Sequence, residues 1–195
     1  MPALRILARQ YETLATADVQ RFLRSPWHEE RLLALLILTR QYAAANSRRR
    51  AAIFGFYLRN TASINNWDLV DVSAAPIVGE YLAERDRVRL RRLARSGNLW
   101  ERRIAMIATF HYIKRGEYDD ALTIAGMLVD DRHDLIQKAV GWMLREIGKR
   151  DLVIEKRFLD RYAATMPRTM LRYAVERFPP DARRKYLEMR ALRDR

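Results

Sequence analysis

Helix-start signals recur along this chain at a nearly constant interval, and that recurrence limits the fold more than anything else in it. Trp27, Trp67, Trp100, His133 and Arg168 each lie close to an expected helix start, at separations of 40, 33, 33 and 35 residues. No short window is β-branched, alternating and bounded by turn signals, so no strand is expected. Helix pairs repeating at such a period build an all-α solenoid. The ankyrin turn motif Thr-Pro-Leu-His is absent, and the loose period fits HEAT- or armadillo-like repeats better. In such a stack one helix of each pair lines a concave side, whose length suits an extended partner.

The individual signals are local. Ser25-Pro26 reads as an N-cap followed by Pro at the first helical position, opening a helix over 27–45 with Leu32, Leu35, Leu36 and Leu38 on its apolar face. Asn66 caps a helix over 67–84, in which Pro76 should cause a kink or a register shift. Asn98 caps 99–115, stopped by Gly116, and residues 131–134 open a helix that ends near Gly148. Asp151 starts another, and Pro167 begins one that reaches Phe178. Shorter helical patterns cover 3–14, 17–24, 48–61, 87–95, 118–129 and 181–193. Residues 1–195 are expected to form a single domain, with amino-terminal helices over 1–24 and a carboxy-terminal helix over 181–195.

Composition removes several classes of function. There is no cysteine, which excludes disulfides, thiolate nucleophiles and Cys-ligated metals. The three histidines, His28, His111 and His133, lack ligand spacing, so no metal site is expected. The longest strongly apolar run, Leu32 to Leu38, is far short of the roughly 20 residues that cross a bilayer. The Met1-Pro2-Ala3-Leu4-Arg5 start lacks the features of a signal peptide, so a cytoplasmic, nucleoid-associated protein, of bacterial origin, is expected. Lys plus Arg number 37 against 24 Asp plus Glu, a net +13, which makes a polyanion the leading partner. Only five of the 37 cations are lysines. A GC-rich genome explains that ratio but not the surplus of charge.

Aligned by their apolar tails, the second helices of the repeats bring Arg31, Asp71, Arg103 and Lys138 into one column. A basic column is what a phosphate backbone needs, and a lone carboxylate within it repels phosphate. Trp67 precedes Asp71 by four residues, Trp142 follows Lys138 by four, and Trp100 precedes Arg103 by three, so each indole shares a helix face with a column residue. The plainer alternatives are that the tryptophans, Trp27 and Trp100 above all, pack between helices, and that Asp71 is a salt-bridge partner of Arg103. The chemical alternative is glycosidic-bond cleavage. A carboxylate stabilises oxocarbenium character on a deoxyribose and orients the attacking water, aromatic faces hold sugar and base, and Arg and Lys anchor flanking phosphates. One carboxylate suffices when the leaving base is already cationic, as an N-alkylated purine is.

Three segments carry a resemblance to a known family: Asn66-Trp67-Asp68-Leu69-Val70-Asp71, Asn98-Leu99-Trp100-Glu101-Arg102-Arg103, and Ile136-Gln137-Lys138-Ala139-Val140-Gly141-Trp142-Met143-Leu144-Arg145-Glu146. Colinear and similarly spaced, they closely resemble the AlkD-like DNA glycosylases, HEAT-like-repeat enzymes of alkylation repair, over roughly residues 20–180. The amino-terminal segment looks shorter than in that family. The resemblance implies excision of N3- and N7-alkylated purines from duplex DNA, leaving an abasic site, without metal or organic cofactor. It matches the catalytic aspartate to Asp71, the sugar-flanking tryptophans to Trp67 and Trp142, and the active-site arginine to Arg103. It further implies a grip on the DNA backbone that leaves the modified base largely exposed. Arg103, Lys138, Arg31 and Trp100 are the expected DNA contacts, and a monomer is expected. Two rival readings are a non-catalytic protein that binds damaged or branched DNA and a protein-binding scaffold.

Overall fold

The computed structural model describes residues 2–191. They are all-α, with no strand among them, as the repeating helix-start signals predict. The chain forms two compact units, Met1–Asp86 and Arg87–Arg195.

In the first unit run α1 (Pro2–Gln10), α2 (Thr16–Leu23), α3 (His28–Ala44), α4 (Ser47–Arg59), α5 (Trp67–Ser73) and a short α6 (Glu80–Leu82). Helix α3 is central: α1, α2, α4 and α5 pack on it. Leu32 and Ala34 to Leu38 are all buried, so the apolar run in the sequence is an interior helix rather than one stripe of a surface helix. Between α5 and α6 the backbone is π-helical over Ala74–Gly79. Pro76, at its third position, has no N–H to give to an i−4 carbonyl, and the widened turn absorbs the missing bond. The expected continuous helix over 67–84 is therefore three segments, with the register shift at the proline.

The second unit holds α7 (Val88–Ala94), α8 (Leu99–Ala108), α9 (Phe110–Ile113), α10 (Asp119–Met127), α11 (Asp134–Gly148), α12 (Leu152–Tyr162), α13 (Arg168–Ala174) and α14 (Pro180–Ala191). Helix α11 is its centre, packed against α8, α10, α12 and α13. The helix expected over 99–115 is interrupted at Thr109, whose hydroxyl donates back to the Met106 carbonyl at 2.7 Å. It stops where predicted. Gly116 takes φ +79°, and the Glu117 and Gly116 amides return to the Tyr112 and Ile113 carbonyls, a Schellman closure. Residues 192 and 193 of the expected last helix lie outside the described residues.

A shared device opens α3, α8 and α11. Ser25 Oγ accepts from the Trp27 amide at 3.1 Å, Ser96 Oγ from Asn98 at 3.0 Å, and Asp131 Oδ1 from His133 at 2.9 Å. The fourth residue of each helix then reaches back to the loop. Arg31 Nη1 donates to the Ser25 and Pro26 carbonyls, Arg102 Nη1 to those of Ser96 and Gly97, and Gln137 Nε2 to that of Asp131. Ser25 and Pro26 thus belong to the loop. The N-cap of α3 is Trp27, two residues later than the cap signal at Ser25 suggests, and it makes no side-chain capping bond.

Candidate functional site

In the first unit the candidate residues sit on α5. Asn66 caps the helix by accepting from the Trp67 amide at 2.7 Å, and Asp68 is the acid of its first turn. One turn separates Trp67 from Asp71, so both project from one face. The Trp67 side chain is 51% exposed. Asp71 is half-buried. Beneath it the buried Tyr57 hydroxyl bonds Ser73 Oγ at 2.9 Å, and Ser73 Oγ donates to the Leu69 carbonyl at 2.5 Å. Burial raises the pKa of Tyr57, and the charge of Asp71 adds to that rise against the Ser73 hydrogen bond. The tyrosine therefore stays neutral beside a charged aspartate. At the head of the same helix, Asp68 Oδ2 meets His28 Nε2 at 2.8 Å, tying the start of α5 to the start of α3.

In the second unit the candidates sit on α8 and α11. Arg103 is only 4% exposed, and its Nη1 donates to the Leu135 carbonyl in the first turn of α11 at 2.5 Å. Lys138 lies at the surface beside Asp134, at 2.6 Å, and that carboxylate holds its ammonium above the usual lysine range. Trp142 is half-buried. Its ring tilts against Phe110, centroids 5.9 Å apart, and its Nε1 donates to Glu146 Oε1 at 3.3 Å. Glu146 is itself buried, a change that alone would raise its pKa. Lys149 and Arg150 outweigh burial and keep the carboxyl below the usual carboxylate range, so the indole is held by a fixed charge. Trp100 is half-buried, and its amide is capped by Asn98 Oδ1 at 2.8 Å. Among the described residues no group of three acidic or imidazole side chains is arranged to hold a metal ion.

Counted from their first helical residues, Asp71, Arg103 and Lys138 are each the fifth. Arg31 is the fourth of α3, where Leu32 occupies the fifth position. Its register is that of Arg102 and Gln137, and its Nη1 is engaged with loop carbonyls, which sets it apart from the other three. The recurring signal for these clamps was present in the sequence: Ser25, Ser96 and Asp131 are each followed six residues later by Arg31, Arg102 and Gln137. Trp27, expected to pack between helices, is 68% exposed.

The comparisons with known proteins bear on this arrangement. The sequence model of a family described as DNA alkylation repair enzyme matches residues 1–178. The chain belongs to the DNA alkylation repair enzyme family. Three solved structures share the fold of this DNA alkylation repair family member. One, from Enterococcus faecalis, is described as a predicted DNA alkylation repair enzyme. It is 15% identical, with a TM-score of 0.66, covering 89% of this chain and 82% of its own. The second is AlkD2 from Streptococcus mutans, 17% identical, with a TM-score of 0.66 and coverage of 92% and 90%. The third, also from Streptococcus mutans, is 16% identical, with a TM-score of 0.60 and coverage of 97% and 90%. A comparison with the curated proteins found no match. No helix of the described residues is long and apolar enough to cross a membrane.

Proposed function

We propose that this family member is a monofunctional DNA glycosylase acting on N3- or N7-alkylated, cationic purines in duplex DNA. The observation that carries the reading is Asp71, a half-buried aspartate one turn from an exposed indole on α5. As the bond from C1′ to the base nitrogen lengthens, the sugar gains positive charge, which the aspartate stabilises. The bonding electron pair leaves with the base and cancels its positive charge, so no general acid is needed. Water adds its oxygen to C1′ and gives up a proton, which Asp71 accepts or passes to solvent. The product is an abasic site and a neutral free base.

The other residues have supporting parts. The family resemblance assigns Trp67 and Trp142 to the sugar, and Glu146 fixes the indole of Trp142 on α11. Lys138 holds a flanking phosphate through an ammonium at the surface, and Arg103, buried and anchored to the Leu135 carbonyl, is the phosphate contact that the family resemblance assigns. Asp71→Asn should keep duplex affinity within about twofold and lose more than about 100-fold in release of base from N7-methylguanine DNA under single turnover. Release by that variant at the wild-type rate would overturn the assignment. Tight DNA binding by the wild type without any free base would favour a damage-binding protein instead.

A further inference from the structure

Trp27 is costly where it stands. Of the four helices that open in this register, α5, α8 and α11 have N-caps whose side chains accept a backbone amide: Asn66, Asn98 and His133. Helix α3 has an indole at that position, which cannot accept one. A cap of Ser, Asn or Asp there would add about 1 kcal/mol. The ring gains little burial in return, since it is 68% exposed. Yet its backbone is firmly held. Ser25 Oγ fixes the amide, the Arg31 clamp fixes the loop behind it, and the His28–Asp68 pair ties the next residue to α5, where Trp67 is also exposed. Two large apolar faces are therefore presented to solvent from neighbouring, mutually tied helix starts.

We propose that Trp27 is a further aromatic contact for the DNA strand, stacking on the sugar or base face of a nucleotide near the one that Trp67 meets. The chain's +13 charge selects a polyanion as the occupant. Glu29 and Glu30, in the first turn of α3, disfavour a phosphate beside the indole, so a nucleoside face meets it rather than the backbone. The inference rests on the DNA-acting reading above, but not on Asp71 being catalytic. Trp27 is a positioning residue and touches no reacting atom.

The test compares wild type, Trp27→Ala and Trp27→Phe for binding to a short duplex that carries a tetrahydrofuran abasic-site analogue, with melting by circular dichroism alongside. Trp27→Ala should bind at least about fivefold more weakly with an unchanged melting temperature, and Trp27→Phe should recover most of the loss. On methylated DNA, the alanine change should raise the concentration for half-maximal rate more than it lowers the maximal rate. Undiminished binding by Trp27→Ala, a phenylalanine variant as weak as alanine, or a clear fall in melting temperature would overturn the proposal. If the wild type releases no base at all, the glycosylase reading falls, and the affinity comparison still decides the role of Trp27.

Discussion

Glu155 shows how far burial can carry one side chain from its ordinary chemistry. It is 2% exposed on α12, and its Oε1 has no hydrogen-bond partner. It packs so closely on Gly148 of α11 that a Cβ there would overlap its carboxyl group. Burial pushes its pKa up to about 8, against a lowering by the charge of Arg145. The folded protein thus holds this acid protonated, while the unfolded chain ionises it near the usual carboxylate value. Between those two values the unfolded state binds fewer protons, so stability falls as pH rises and levels off above about 8. Glu155→Gln should be close to wild type at pH 5 and more stable at pH 8, by up to about 3 kcal/mol. Urea unfolding at both pH values measures this, and equal shifts at the two would count against it. Glu146, a few residues away on α11, has the opposite sign. Lys149 and Arg150 hold it charged, and its contribution is lost as pH falls through its lowered pKa.

Helices here are joined to the loops before them by single polar side chains, and Arg102 is the strongest of these ties. Its Nη1 serves two carbonyls, and its Nε meets Asp131 Oδ2 at 2.7 Å, so one guanidinium closes the start of α8 and reaches the loop before α11. Removing it leaves carbonyls and a carboxylate without their donor. Arg102→Ala should lower unfolding stability by about 2 kcal/mol. Arg102→Lys should not restore it, because an ammonium cannot reproduce the fork. A urea midpoint unchanged in Arg102→Ala would refute the clamp. These ties also explain what was readable at this level. The starts of α5, α8 and α12 fall where Asn66, Asn98 and Asp151 predict, and α11 begins within the 131–134 signal, because a cap acts within three residues of itself. The cap of α3 lies two residues beyond Ser25 because Arg31, from inside the helix, holds Ser25 and Pro26 in the loop.

Taken as a whole, the chain meets DNA with a surplus of 13 positive charges, and affinity should therefore fall steeply with salt. In a plot of log affinity against log salt, Lys138→Gln should reduce the slope by about 1, since one phosphate contact is removed. Asp71→Asn should not reduce it. An unchanged slope for Lys138→Gln would remove that residue from the phosphate contacts. The sequence by itself determined the all-α class, the helix starts, the disturbance at Pro76 and the stop at Gly116, because each depends on backbone geometry and hydrogen bonds within a few residues. Only the tertiary structure decided that Trp27 faces solvent, that Arg103 is buried against Leu135, that Arg31 is a loop clamp and that Glu155 is protonated. Each of those depends on which distant segment covers a side chain, and exposure, partner and proton affinity are properties of that covering rather than of the residue.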